Sequence, residues 1–518
     1  MTGKILEVPF SASQPPSNSQ AHPSDPRNNL PKPPSSFERY NYLNPPRYWA
    51  YLGFIASCLV LVSSSWFLWR THFWIYGIYV FLTSAWTFPH FLFVIFSKNF
   101  NPAHHIAMVQ QTLEKGHYPA VDVFIPTCGE NIEIIENTLY HASKLVYDNL
   151  NIYILDDGAS AEVERLTRKY AFNYVSRPNR GHMKKAGNLL YGYHRSQGDY
   201  ILVLDADFAV APLGLQHLVP WMEQNPKTAI VQTPQYFSTD ASLAWSARGA
   251  AYCQEVFYRV IQPARDYLGQ SAICVGTNAL YRRQALAEIG GFYQVEASED
   301  VHNGVALISK GWNIKYLPIL IARGLCPDTA QGLFKQHYRW CSGSMRLITS
   351  SFFWNSSMAV WQKLIYLCGA CYYPATGLSV PAALLQLGVM LLWLQDDVKW
   401  YVAFLFLPKV LFVYLIMPLW NQSNWGLHSI KSAITFAWAY LIALGDLATQ
   451  KTEGWIATGA SKTSARYQLF RQLLSVYCVC NLLLLVPTFN EEWYNFLPIA
   501  ASHGFSLYLS WDLLNHDR

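Results

Sequence analysis

The chain has 518 residues, of which 52% are hydrophobic and only 14% charged, where about a quarter charged is usual for a soluble domain. Its apolar residues are too interrupted for a wholly embedded transporter. The net charge of +5 is too small and too dispersed to point to nucleic acid. What remains is a water-soluble domain joined to several membrane spans.

Residues 1–40 are rich in Pro, Ser and Asn, as in HPSDPRNNLPKPPSS, and carry no periodicity, so a disordered tail is expected over 1–47. It lacks the early apolar core of a signal peptide. Two apolar runs follow, roughly 48–69 and 73–97, separated only by Arg70, Thr71 and His72. Each is long enough to cross a core of about 30 Å, and together they predict a transmembrane hairpin over 48–97.

Residues 98–345 read as the soluble domain. The β-rich runs VDVFIPT, NIYILDDG, YILVLDADF and AIVQTPQYF alternate with helix-length segments, the signature of βαβ units and a mostly parallel sheet. Acidic residues follow the carboxyl ends of two of these runs, where open α/β sheets bind ligands.

From 346 to 518 we expect interfacial helices and four further spans, at about 376–394, 400–420, 472–488 and 494–511. Pro374 and Pro381 break the apolar run that leads into the first. The stretch SIKSAITFAWAYLIALGDLATQK is expected to lie at the interface, because Lys431, Asp446 and Lys451 interrupt it. The loops 70–72, 395–399 and 489–493 hold Asp396, Asp397, Glu491 and Glu492 with only Arg70 and Lys399 as cations. The loop 421–471 holds Lys431, Lys451, Lys462, Arg466 and Arg471. This positive-inside bias and six crossings put both termini and the α/β domain in the cytosol of a multi-pass protein of the plasma (inner) membrane. The ten cysteines, Cys368/Cys371 and Cys478/Cys480 included, lack zinc spacing and read as reduced, small hydrophobic residues.

Several short motifs carry residues suited to chemistry. LDADF sets Asp205 and Asp207 one residue apart past a strand, a pair able to share a hard divalent cation or to cap the next helix. In ILDDGAS, Asp157 suits a ribose, a base or the same metal, or a plain Asp-Gly turn. PTCGEN brings Thr127, Cys128, Gly129 and Glu130 to a small-residue loop that a ligand can approach closely. RGHMKKAGN offers Lys184 and Lys185 to a diphosphate. EASEDVHNG opens a helix with Glu299 and Asp300, either a general base or an acidic helix start. In FKQHYRWCSGS, Gln336, Arg339 and Trp340 share one helical face, where an amide and a guanidinium can grip phosphate and an indole can stack a sugar. Lys409, beside Pro408 in an expected span, is expected to line a polar path for a product.

Taken in order, TCGE, DDG, KKAGN, DAD, SED and QHYRW resemble the processive family-2 glycosyltransferases, and most of all the cellulose synthase catalytic subunit family, over about 118–345. ICVGTNALYRRQALAEIGGF, 273–292, resembles that family's acceptor-side segment. The resemblance implies an α/β GT-A-type cytosolic catalytic domain inserted in an α-helical transmembrane bundle, a UDP-sugar donor, a growing glycan acceptor, Mg²⁺ or Mn²⁺, and inversion at the anomeric carbon.

By the same resemblance, Thr127 and Glu130 border the uridine pocket, and Asp157 and Lys185 hold the nucleotide. Asp205 and Asp207 serve the metal and diphosphate, and Asp300 is the general base. Gln336, Arg339 and Trp340 bind the diphosphate and the acceptor's terminal sugar. GWIATGASK, 454–462, is similar to the family's gating loop, with Trp455 and Thr458 in register, Ala460 at the usual Lys position and Lys462 two residues on. Ser298 stands where the family usually has Thr.

The chain ends at Arg518, so a PilZ domain is not expected and control would come from a partner or the tail. The expected activity is polymerisation of a UDP-sugar, UDP-glucose first, into a β-glucan such as cellulose with export across the bilayer. Accessory export subunits and self-association are left open. The alternatives are single addition to a glycolipid, or a chitin-like, mixed-linkage or β-1,3-linked product.

Overall fold

The computed structural model describes residues 30–515 apart from 117, 406, 422–423, 452–463 and 487–492. Its centre is a seven-stranded sheet in the order β3-β2-β1-β4-β8-β6-β9. The strands are β1 (Val121–Thr127), β2 (Leu150–Asp156), β3 (Asn173–Val175), β4 (Tyr200–Val203), β6 (Thr228–Gln232), β8 (Ala279–Arg282) and β9 (Asn313–Tyr316). A smaller sheet joins β5 (Ala209–Val210), β10 (Ala322–Gly324) and β7 (Tyr236–Phe237) in that order.

Strands β1 to β4 are parallel, with Thr127 in register with Asp156 and Phe124 with Val203. Strand β8 runs antiparallel between β4 and β6. β1 is buried from Val121 to Ile125, because helices cover both faces and a doubly covered strand reads as an unbroken apolar run. Val121, Val123 and Ile125 share a core with Ile135, Leu139, Leu215 and Leu218. Phe124 shares the other with Leu189, Val305 and Leu307. The expected α/β domain of GT-A type is therefore present, mostly parallel with one reversed central strand.

The membrane part departs from expectation in detail. Among the described residues five helices are long and apolar enough to cross a membrane: Tyr48–Thr71, Tyr76–Phe96, the run Val360–Leu392, Leu427–Thr449 and Ala465–Leu485. The span expected at 400–420 is instead a 3₁₀ segment Trp400–Leu405 and one apolar helix Leu407–Asn421, shorter than the five, with a π-helical turn at Phe412–Ile416. Pro408 lies in the first turn of that helix, where its missing N–H costs no intrahelical bond. Lys409, expected to line a polar path, is exposed among Leu407, Val410 and Leu411, which are exposed as well. That is the setting of a snorkelling cation.

The helix Leu427–Thr449, expected at the interface, qualifies as a span by length and composition. It packs against the helices Trp245–Val256, Ala330–Thr349 and Tyr372–Leu392. Its polar interruptions are buried and paired, Lys431 with Asp512 at 2.5 Å and Asp446 with Arg466 at 2.8 Å. The helix Trp493–Asn515, expected as the last span, is outside the five.

At one end of the bundle Arg70 bonds Asp397 at 2.6 Å, and the Trp400 N–H reaches Asn495 at 3.3 Å. Exposed Trp69, Trp74, Trp393, Trp400 and Trp493 cluster in sequence at these same helix ends, as in an aromatic belt.

Residues 30–47, expected within the disordered tail, lie instead along the α/β domain. Pro31 accepts from Asn137, Glu38 pairs with Arg323, and the Arg39 carbonyl accepts from Leu320. Arg39 is itself buried, with Nη1 2.9 Å from His217 Nε2. His105 Nε2 is 3.0 Å from His217 Nδ1, so the segment, the helix Pro102–Lys115 and the helix Gly214–Gln224 meet at one buried polar chain. Proline-rich composition hid this order, because the contacts are made with partners more than a hundred residues away. All ten cysteines are free thiols.

Candidate active site

The carboxyl ends of β2, β1 and β4 lie side by side, and the motifs that follow them form one cleft. After β2 the two aspartates divide the work. Asp156 accepts from Gly158 N at 2.9 Å, Ser160 N at 2.7 Å and Tyr174 Oη at 2.9 Å, which builds the turn. Asp157 is buried and takes both arms of Arg177, Nε to Oδ1 at 2.6 Å and Nη2 to Oδ2 at 2.8 Å. Gly181 N donates to the same carboxylate at 3.0 Å. A fork-to-fork pair of this kind fixes orientation as well as charge. Arg177 was not singled out from sequence, since it stands as one of several cations in SRPNRGHMKK.

The KKAGN motif now has separate reasons for its letters. Lys185 donates to Asp205 and to the Gly276 carbonyl at 2.9 Å. Gly187 leaves room for Arg177, whose Nη1 lies 2.3 Å from where a Cβ would be. Asn188 ties the helix Lys184–Tyr193 to the Leu155 carbonyl at 2.6 Å. Burial opposes the charge on Lys185, but Asp205, Glu299 and Asp300 override it and raise its pKa. Thr127 is buried, 3.3 Å from Asp156, and Glu130 folds back to accept from Cys128 N at 2.6 Å.

Asp205 sits two residues past β4, with its N–H on Thr277 Oγ1 at 2.9 Å. Burial, Asp205 and Glu130 together raise Asp207 to about 8. Among the described residues no three His, Cys, Asp or Glu are placed to hold a metal unaided. Asp205 and Asp207 do concentrate negative charge that a divalent cation would relieve. A hard cation that completes its shell with substrate phosphates fits such a pair.

Asp300 opens the helix Glu299–Ser309 after Ser298, which is left-handed at φ 56°. Burial and then Glu299 raise its carboxyl to about 7, against the Val301 N–H and Lys185, which lower it. Gly276, at φ +77°, lies against it, and a Cβ there would stand 2.9 Å from Asp300 Oδ2.

The helix Ala330–Thr349 completes the wall. Its residues Gln336, Arg339 and Trp340 are half-buried, while His337, Tyr338 and Cys341 are buried against neighbouring helices. Burial lowers the Arg339 pKa against the nearby Glu299 and Asp205 carboxylates, which raise it. Its guanidinium therefore faces the same acidic cleft. Gln336 Oε1 is buried without a hydrogen-bond partner, an unusual state for an amide acceptor. Trp340 leans on His337, with ring centroids 4.7 Å apart, and His337 stacks on Phe436 at 3.5 Å.

Gly343, in CSGS, lets the loop that leads into Asp300 touch this helix. A Cβ at that position would lie 2.1 Å from Ser298 Oγ. Of the expected site residues, Glu130, Lys185, Asp205, Asp207, Asp300 and Arg339 lie within electrostatic reach of one another, Thr127 and Asp157 meet where β1 and β2 end, and Gln336 and Trp340 flank Arg339 on its helix. Trp455 and Thr458 lie outside the described residues.

Residues 122–290 match Glycosyl transferase family 2. The chain is 34% identical over 284 residues to cellulose synthase 1 catalytic subunit (UDP-forming) of Komagataeibacter xylinus, covering 54% of this chain and 38% of the relative. It is 33% identical over 239 residues to the cellulose synthase catalytic subunit (UDP-forming) of Pseudomonas fluorescens (strain SBW25), covering 45% and 32%. The chain thus spans only about a third to two fifths of the length of these relatives. A mannosyltransferase from Pyrobaculum calidifontis, solved with GDP-Man and Mn²⁺, superposes at a TM-score of 0.49 with 18% identity, over 73% of this chain and 99% of that one. The α/β domain is a family-2 glycosyltransferase domain, like that of cellulose synthase.

Proposed function

We propose that this family-2 glycosyltransferase chain is a membrane-embedded, inverting hexosyltransferase that polymerises a UDP-sugar, UDP-glucose first, into a β-glucan and passes the product across the bilayer. The observation that carries the reading is the position of Asp300. Its raised carboxyl lies within electrostatic reach of Lys185 and Asp205, and Arg339 faces the same acidic groups. One base on the acceptor side and cations on the leaving-group side are what a single displacement requires.

Thr127, Glu130 and Asp157 border the nucleoside, with Asp157 held by Arg177. Asp300 takes the proton of an acceptor hydroxyl as that oxygen attacks the anomeric carbon. The new glycosidic C–O bond forms as the bond to the diphosphate breaks. Lys185, Gln336 and Arg339 receive the departing charge, Gln336 through its amide N–H group. Trp340 offers its ring to the acceptor's last sugar, and the proton leaves Asp300 to solvent after transfer. Asp205 and Asp207 would hold Mg²⁺ or Mn²⁺, which would supply Lewis-acid stabilisation of the leaving diphosphate. The long apolar helices that pack against the site helix support synthesis at a membrane with export.

Membranes carrying the full chain, given UDP-glucose and Mg²⁺, should release UDP, and the Asp300→Asn protein should not. Equal release by both proteins would remove Asp300 from the chemistry. No release by the unaltered chain with any UDP-sugar would remove the activity.

A further inference from the structure

Tyr338 and Phe334 lie on the side of the Ala330–Thr349 helix that turns away from Gln336, Arg339 and Trp340. Tyr338 Oη donates to Asp446 Oδ2 at 2.6 Å, and Arg466 Nε pairs with the same oxygen at 2.8 Å. Asp446 is also buried at the end of the Leu427–Thr449 helix, where its carbonyl accepts from Lys451 N at 2.9 Å. Arg466 Nη2 reaches the Lys451 carbonyl at 2.5 Å. Phe334 meets Phe470 at 5.3 Å and Tyr467 at 5.7 Å between ring centroids. The chain positions just before and just after 452–463 are thus fastened to each other and to the helix that carries Trp340.

We infer that Asp446 is a positioning residue, which holds the Ala330–Thr349 helix in register with the stems Lys451 and Arg466 and so sets where Gln336 and Arg339 meet the diphosphate and Trp340 meets the acceptor. This rests on the glycosyltransferase reading above. Two charge-assisted hydrogen bonds converge on one buried carboxylate oxygen, and such bonds are stronger than neutral ones. A slack helix would still bind the nucleotide, whose contacts come from the β1, β2 and β4 loops. It would hold the acceptor end less firmly between additions. The clasp should therefore act on kcat and product length, and leave inhibition by free uridine, which needs only the strand-end loops, unchanged.

The test uses the full chain in membranes and three variants: Tyr338→Phe, Asp446→Asn and the double substitution. Tyr338→Phe removes only a hydroxyl. The expected result is a several-fold lower kcat and a shorter product for each single variant, unchanged inhibition by free uridine, and a double variant no worse than the worse single one, since partners in one interaction are not additive. Wild-type kcat and product length in Tyr338→Phe would overturn the inference. If Asp446→Asn does not accumulate, Tyr338→Phe alone decides. A parent chain that releases no UDP would mark failure of the underlying reading, recognised before any variant is compared.

Discussion

Asp300 must be ionised before it can take a proton from an acceptor hydroxyl. Burial and Glu299 hold its carboxyl near pH 7, with Lys185 and Asp205 facing it from the other side of the cleft. The protonated form is inactive, so kcat rises with pH, is half-maximal near pH 7 and levels off about a unit above it. An unperturbed carboxylate would give a rate already flat by pH 5 to 6. A pH profile of UDP release checks this, and a flat profile from pH 5 to 8 would contradict it. Asp300→Asn should lower kcat by about 10²–10⁴-fold, the usual worth of a general base.

For Asp207, raised to about 8 by burial and Asp205, a chelator should abolish turnover and added Mg²⁺ or Mn²⁺ should restore it. Asp207→Asn should weaken that restoration. Turnover unchanged by chelator would remove the metal from the account. These residues were legible because their motifs occur in a fixed order. Arg177, Gly276 and Gly343 were not, since their reasons lie in contacts with Asp157, Asp300 and Ser298 from distant parts of the chain.

Elements in this protein are placed by what they must avoid as much as by what they bind. The Ala330–Thr349 helix approaches the loop of Asp300 only because position 343 has no Cβ. Gly343→Ala forces an overlap with Ser298 that must be relieved by a shift of the loop or the helix, at a cost of about 1–3 kcal/mol. Misplacement by about 1 Å can lower a rate about 10²-fold, so kcat should fall steeply and donor KM should rise as Gln336 and Arg339 move off the diphosphate. Steady-state kinetics with UDP-sugar check both numbers, and unchanged kcat would contradict the contact.

The strands and this helix were readable from periodicity, because alternation and i, i+3, i+4 spacing survive in sequence. The 400–421 region was expected as one span, since apolar composition does not distinguish a long α-helix from a 3₁₀ segment followed by the shorter helix Leu407–Asn421. The 30–47 segment was misread for the converse reason. Its order comes from Arg39 and Glu38 reaching His217 and Arg323, not from local pattern. Arg39→Ala leaves a buried imidazole nitrogen unpartnered and should cost about 1–3 kcal/mol, visible as a lower melting temperature. An unchanged melting temperature would mean that the segment is not part of the folded domain's stability.

At the scale of the whole molecule, the α/β domain and the helix bundle share one core. Phe334 and Tyr338 of the site helix pack in the same cluster as Ile125 of β1 and Tyr440, Phe470 and Leu474 of the long apolar helices. Such continuity joins chemistry to the membrane without a flexible linker, and it is the physical reason to expect synthesis and export in one chain. Sequence conveyed the two textures, an alternating middle and apolar ends, but not their fusion, because no short-range pattern encodes contacts between residues a hundred positions apart.

The central claim is processive polymerisation from a UDP-sugar. The measurement that tests it most directly supplies radiolabelled UDP-glucose, and in parallel UDP-N-acetylglucosamine, to membranes containing the full chain with Mg²⁺. The product is then sized and digested with linkage-specific glucanases. A long, glucanase-sensitive polymer formed from UDP-glucose alone is the predicted result. A short, lipid-extractable product bearing a single added sugar would contradict it.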